Sequence, residues 1–318
     1  MNLENDPMLP QLKIALNTAM TKNENFYAWK ISIENYQSLQ TLMVGQDLKD
    51  FEKYQSRDVL DHNYQIEVYT RHGSPEMMGN SSFSIDPLAD LNTQVEKTYQ
   101  NSLLVGNKVW DLPKELNGPL EEVSITDPLI QENIKMAHEK LHTEINNKVS
   151  MLSDVKVNSG ELYTNLCTNY FESSFGIKGQ KESSDIYFEM AIEKQPTPNT
   201  QEVLKYKKAI SIEDANLSQF INHTVDETLS ISSTIVPKTA DQLNILVDGE
   251  VISDFLNNLI SHLNARREYE KSPFLAIGSN ITTGEKNAES DSINLSLDPT
   301  LPVMALTSPF TEEGMKPM

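Results

Sequence analysis

A period-two alternation of large apolar side chains recurs along this sequence and constrains it more than any other feature. In "FYAWKISIENY", Tyr27, Trp29, Ile31 and Ile33 fall on every second residue. "YQIEVYT" repeats the pattern with Tyr64, Ile66, Val68 and Thr70, and "DIYFEMAIEK" does so with Ile186, Phe188, Met190 and Ile192. Successive side chains of a strand point to opposite faces, so each segment reads as a half-buried strand. The apolar face of such strands must be covered by another layer.

Helices between the strands supply that layer. "LPQLKIALNTAMTK" places Leu12, Ile14, Ala15 and Met20 at helical spacing ahead of the first strand. The turn "RHGSPEMMGN" and a further short strand lead to Asp86-Pro87, read as an N-cap followed by proline at the first helical position. Leu88, Leu91, Val95, Tyr99 and Leu103 form the stripe behind it. Asp127-Pro128 repeats the cap and opens a helix predicted to run to about Val149. "ELYTNLCTNYFESSFGI" is a further long strand. A polar loop near "QPTPNT" leads to a helix carrying Leu217, Phe220, Ile221, Val225 and Leu229. Strands followed by covering helices predict an α+β fold with strand-rich N-terminal and middle layers, not an alternating parallel one.

The connector "DLPKELNGPLEEVSITDP" holds three prolines and five acidic residues and reads as a linker. It separates an N-terminal α+β domain, 1–118, from a middle α+β domain, 119–236. A third block, 237–318, begins with the short apolar strand "LNILV". An amphipathic helix follows, bearing Val251, Ile252, Phe255, Leu256, Leu259, Ile260 and Leu263, with Arg266 and Arg267 near its end, where cations suit the helix dipole. Loops rich in serine, proline and asparagine complete the chain.

Charge and cysteine usage narrow the function classes. Among 318 residues, 26 are Lys or Arg and 46 are Asp or Glu, a formal charge of −20. A duplex-binding protein needs a basic face to displace counterions from phosphates. The densest basic runs here, "KYKK" at 205–208 and Arg266-Arg267, are short, so nucleic acid is excluded as a direct ligand. Cys167 is the single cysteine, which rules out an internal disulfide and fits a reducing compartment. The N-terminus lacks the basic-then-apolar pattern of a signal peptide, and no apolar run approaches the roughly 20 residues of a membrane span. The expectation is a soluble, cytoplasmic chain with no membrane partner.

One pentamer carries possible chemistry. His138-Glu139-Lys140-Leu141-His142 spells H-E-x-x-H, in which two histidines on one helical face hold zinc and the glutamate is a general base. Placed on a helical wheel, Leu129, Ile130, Ile134, Ala137, Leu141 and Ile145 define a core face. His138 falls at its edge, His142 beyond it, and Glu139 points nearly the opposite way. Lys140, Thr143 and Glu144 crowd the motif with charge and polarity, and the third ligand that a zinc site would require has only an isolated glutamate, Glu161, as a candidate. A solvated helix edge is the plainer reading; a zinc metalloprotease using His138, His142 and Glu139 is the alternative.

A resemblance reorganises the reading. "NILVDGEVISDFLNNLISHLNA", "KSPFLAIGSNITTGE" and "LSLDPTLPVMALTSPFTEEGMKP" follow one another as consecutive elements, and "VNSGELYTNLCTNYFESSFGI" lies upstream. In order and spacing these segments resemble the TldD/PmbA (TldE) family of metallopeptidase-like proteins, also called modulators of DNA gyrase. In that family's catalytic branch, the helix after the short strand carries H-E-x-x-x-H, which holds zinc together with a distal cysteine. Laid onto this chain, the motif falls on "NNLISH": Asn257 takes the first histidine position, Asn258 the glutamate position, and only His262 agrees. An amide is a poor zinc ligand beside imidazole and takes up no proton near neutral pH. The distal cysteine has no counterpart.

The resemblance therefore implies the non-catalytic PmbA/TldE branch, with no cofactor. It implies a dimeric assembly, with a TldD-like catalytic subunit or a second copy, acting on unfolded or extended peptides. Family members continue through a further C-terminal segment, so the third block is expected to be an incomplete, β-rich domain. A degenerate member without activity is a further reading.

Overall fold

The computed structural model describes residues 2–45, 51–115, 125–194, 202–231, 233–235, 249–263, 266–267 and 315. Two compact units emerge: Met1–Thr234 with Asp298–Met318, and Ile235–Leu297.

In the first unit the alternating segments become long strands of one sheet. They are β1 (Phe26–Gly45), β2 (Phe51–His72), β3 (Met77–Ser84), β4 (Val155–Ser173), β5 (Lys178–Lys194) and β6 (Glu202–Ala209). The order is β3-β2-β1-β4-β5-β6, and every described pairing is antiparallel. The sheet curls into a half-barrel. The two strand-rich blocks meet along β1: Ile33 lies opposite Tyr64 of β2 on one side and Tyr170 of β4 on the other. The linker boundary at 118/119 lies outside the described residues.

The described helices of this unit cover one face of the sheet. At one end α1 (Leu9–Lys22) and α2 (Leu91–Ser102) bury Leu12, Leu16, Val95 and Tyr99 against Trp29, Ile31, Ile33, Ile66 and Val68. At the other, α3 (Pro128–Val149), the short α4 (Ile212–Ala215) and α5 (Leu217–Ile231) pack on Leu162, Ile186, Phe188, Met190 and Ile192. Burying each such side chain contributes about 1.5–3 kcal/mol, so these two clusters are what holds the curled sheet together. The α+β class and the covering helices are as the sequence predicts.

Several local expectations change. Tyr27 does not share a face with Trp29. A register shift between Phe26 and Ala28 puts an extra residue into β1; Phe26 and Trp29 both enter the helix-side core, while Tyr27 packs on the other face against Phe175, ring centroids 6.0 Å apart. Helix α2 is capped by Asp90, whose carboxylate accepts from the Thr93 amide at 2.7 Å, rather than by Asp86. Asp86 instead accepts from the Leu88 amide in the preceding turn, and the Leu88 side chain is left 95% exposed. Strand β6 has no sequence signal, because "EVLKYKKA" reads as polar. Among the described strands it lies at the edge of the sheet, where its lysines discourage pairing with another chain.

Asp127 caps α3 as expected and does more. Its Oδ1 accepts from the amides of Leu129 and Ile130 at 2.8 and 3.1 Å, and its Oδ2 from the amide of Ile212 at 2.9 Å. Its own amide donates to Ser184 Oγ of β5 at 2.7 Å. One carboxylate thus ties the start of α3 to α4. Within α3, Asn133 leaves helical backbone (φ −157°, ψ 87°) and its side chain accepts from the Met136 amide, an internal cap across a kink. Gly79 in β3 is required by close approach: a Cβ there would lie 1.9 Å from the Ser102 carbonyl oxygen.

In the second unit the described element is α6 (Gly249–His262). Val251, Ile252, Phe255, Ile260 and Leu263 are exposed, as far as 72% at Phe255. The strand read at "LNILV" and the β-rich remainder of the third block lie outside the described residues. No described helix is long and apolar enough to cross a membrane.

Candidate functional site on the open face of the sheet

The H-E-x-x-H residues lie on α3, but the sheet gives them other work. His138 is only 4% exposed, inside the core and not at its edge as the wheel placed it. Its Nε2 lies 2.7 Å from Thr41 Oγ1 of β1, and its Nδ1 lies 2.9 Å from Thr164 Oγ1 of β4. Both threonines are fully buried. Burial pushes the imidazole down to about 4, so it is neutral near pH 7, donating to one hydroxyl and accepting from the other. His142 is also lowered, by burial first and then by Lys53, and its Nε2 lies 3.4 Å from Asn146 Nδ2. Glu139 points outward to Lys53, 3.8 Å away.

Glu161 sits in β4 between Gly160 and Leu162, of which Leu162 faces α3. Alternation therefore puts the Glu161 carboxylate on the opposite side of the sheet from His138. Among the described residues there is no group of three or more His, Cys, Asp or Glu placed to hold a metal ion.

The positions singled out by the family resemblance fall on α6. Asn257 and Asn258 are exposed and His262 is half-buried at the helix end. Two amides and one imidazole do not fit a zinc centre.

The side of the sheet that bears no described helix has its own organisation, set by register. Tyr163 of β4 lies opposite Tyr187 of β5, which lies opposite Lys208 of β6. In the next row Glu161 lies opposite Glu189, and Glu189 opposite Tyr206. The Tyr163 and Tyr187 ring centroids are 5.6 Å apart, and those of Tyr187 and Tyr206 are 5.9 Å apart, the latter pair stacked. Each inner tyrosine donates to the glutamate of its own strand, Tyr163 to Glu161 at 2.6 Å and Tyr187 to Glu189 at 2.5 Å. These bonds favour the protonated phenol. Tyr163 is pushed up to about 12, by the Glu161 bond first and then by burial. Tyr187 rises too, chiefly by burial and then by Glu189. The Lys208 ammonium lies 5.7 Å from the Tyr187 ring centroid and 6.0 Å from that of Tyr206.

A second polar row adjoins the ladder. Tyr36 of β1 donates to Asn165 Oδ1 at 2.9 Å, and Asn165 Nδ2 donates to Asp185 at 2.9 Å. Beyond it Cys167 donates to Glu34 at 3.7 Å and receives Asn169 Nδ2 at 3.1 Å. Burial, and then the Glu34 carboxylate, push this thiol up to about 11, so it is a weak nucleophile at neutral pH. Glu161 apart, no local sequence pattern reveals this constellation. Tyr163, Tyr187 and Tyr206 come from three strands, and only the register brings them together.

No known family profile matches the sequence, and no curated protein matches it. The fold does have solved counterparts. A candidate modulator of DNA gyrase from Bacteroides thetaiotaomicron superposes with a TM-score of 0.63 at 13% identity, over 84% of this chain and 59% of that one. A candidate modulator of a DNA gyrase from Thermotoga maritima gives 0.54 at 13% identity, over 72% and 50%. TldE from Thermococcus kodakarensis gives 0.46 at 12% identity, over 70% and 46%. The chain has the fold of the solved gyrase-modulator structures, the TldD/PmbA fold that the sequence resembles. It spans 59% and 50% of the lengths of the first two.

Proposed function

We propose that this chain is a non-catalytic, TldE/PmbA-like subunit of a TldD-type peptidase assembly that handles unfolded or extended peptides, in the cytoplasm. The observation that carries the reading is on α6. Exposed amides, Asn257 and Asn258, stand where the catalytic branch of the resembling family has a metal-binding imidazole and a proton-accepting carboxylate. The shared fold of the solved gyrase modulators supports the family resemblance from which the peptidase context comes. The open face adds half-buried tyrosines and carboxylates, groups suited to gripping an unfolded segment by stacking and hydrogen bonds. The partner is a TldD-like catalytic chain or a second copy of this one.

The test is a zinc assay and a peptide-hydrolysis assay on the purified chain, alone and mixed with a TldD-type subunit. The expected result is metal-free, inactive protein that co-elutes with the partner on size exclusion and alters its peptide turnover. Stoichiometric zinc on the lone chain, or hydrolysis by it, overturns the proposal.

A further inference from the structure

We infer that the Tyr163–Tyr187–Tyr206 ladder, with Glu161 and Glu189 beside it, is a docking surface for peptide segments that carry lysine or arginine. This rests on the reading of the chain as a peptide-handling subunit and names the chemistry its open face selects. Three observations converge. The ladder offers aromatic rings on three adjacent strands, 5.6 and 5.9 Å apart, with Tyr206 62% exposed. Aromatic faces attract ammonium and guanidinium groups through the ring quadrupole. Each inner ring has a carboxylate hydrogen-bonded to its hydroxyl, so negative charge lies at the rim of the same surface.

The third observation is internal. The chain's own Lys208 already presents its ammonium to the Tyr187 and Tyr206 rings at 5.7 and 6.0 Å. It occupies the β6 end of the ladder, and the β4 end, Tyr163 with Glu161, offers the same ring-plus-carboxylate chemistry. A carboxylate has two oxygens and about four acceptor sites, so the tyrosine bond leaves Glu161 and Glu189 able to accept from an incoming cation. The charge of −20 adds long-range attraction for a basic segment and repels an acidic one. Arg57 lies across Gln40 from Tyr163 and marks the β2 side of the row.

The experiment uses the full chain without any partner, so its outcome is independent of whether a TldD-type subunit binds. Fluorescence anisotropy follows short dye-labelled peptides of one length, built on Gly and Ser and bearing Lys, Glu or neither. The Lys peptide is expected to bind, more tightly at low than at high salt, and the Glu peptide not to bind. Glu161→Gln/Glu189→Gln is expected to weaken the Lys peptide about tenfold. Glu96→Gln/Glu132→Gln, which removes the same charge from exposed positions on α2 and α3, is expected to leave it nearly unchanged. Lys208→Gln removes the resident ammonium and is expected to tighten binding. Circular dichroism verifies that each variant is folded; if the ladder pair is not, Tyr206→Leu at the exposed end carries the same test. Equal losses in the two glutamate pairs, no preference for Lys over Glu, or no tightening in Lys208→Gln overturns the inference.

Discussion

His138 and Thr41 meet at 2.7 Å, Nε2 to Oγ1, although 97 positions separate them, and Thr164 closes the other side of the same ring at 2.9 Å. One neutral imidazole on α3 therefore satisfies two buried hydroxyls on the adjacent strands β1 and β4. Its place in an H-E-x-x-H string is incidental to that role. His138→Ala is expected to leave both hydroxyls unpaired and a cavity behind, at a cost of about 2–4 kcal/mol. Urea denaturation followed by circular dichroism measures it, and a change within about 0.5 kcal/mol, the range of an ordinary surface substitution, would contradict the account.

The same histidine sets a pH dependence. Unfolded, it takes up its proton near 6.5; folded, only near 4. Between these values the unfolded chain holds the additional proton, so stability is complete above about 6.5 and is lost as pH falls toward about 4. The slope from this group is at most about 1.4 kcal/mol per pH unit. His142, also lowered, acts with the same sign. Denaturation at a series of pH values is expected to show the loss, and His138→Gln to show a shallower one.

Asp127 offers a second test of how the layers are joined. Asp127→Ala removes the cap of α3 and the acceptor of the Ile212 amide together, with an expected loss of about 2–4 kcal/mol. Asp90→Ala removes a solvent-facing cap alone and is expected to cost clearly less than Asp127→Ala. The ordering of the two unfolding midpoints is the measurement.

Gly79→Ala places a methyl group against the Ser102 carbonyl, 1.9 Å from an ideal Cβ, and 2.7 Å from that of Val105. Backbone, not a flexible side chain, must move, so the end of α2 is expected to separate from β3. The loss expected is about 3 kcal/mol or more, read as a lowered thermal midpoint. Gly176→Asn serves as the contrasting variant: no atom lies within 4 Å, φ is +85°, and asparagine tolerates that region better than most residues.

Cys167 is expected to react slowly. With its thiol pushed up to about 11 from 9.0, the thiolate fraction at mildly alkaline pH falls about 100-fold. Iodoacetamide labelling of the native chain, followed by mass spectrometry, is expected to be far slower than in urea. Glu34→Gln removes the neighbouring charge and is expected to speed it. Equal native and denatured rates would contradict the burial and the Glu34 contact alike.

Local sequence carried the elements whose causes are local. The alternation at Ile31 and Ile33, the stripe Ile134, Ala137, Leu141 and Ile145, and the Asp127-Pro128 start all have their causes within a few residues. It failed where partners come from afar. A wheel places His138 at a rim because it cannot include Thr41 and Thr164, and no pattern near Tyr163 announces Tyr187 or Tyr206. Tyr27 leaves the alternation because one inserted residue reverses the parity of everything before it. Strand β6 was hidden because an edge strand with lysine on both faces has no apolar alternation to show. The α6 positions came from family resemblance, and no local rule singles out Asn257 or Asn258.

The central position of β1 has a consequence for how the chain is made. Its residues Leu39 and Met43 are buried by α3 and β4, both encoded well downstream. A nascent chain emerging from the ribosome can zip β1 to β2 and β3 early, yet that hairpin keeps a bare flank until Val155–Ser173 has been synthesised. During that interval an unpaired edge and apolar side chains are presented together, the state in which chains aggregate. Slower translation through residues 46–154 is therefore expected to lengthen the chain's dependence on chaperones.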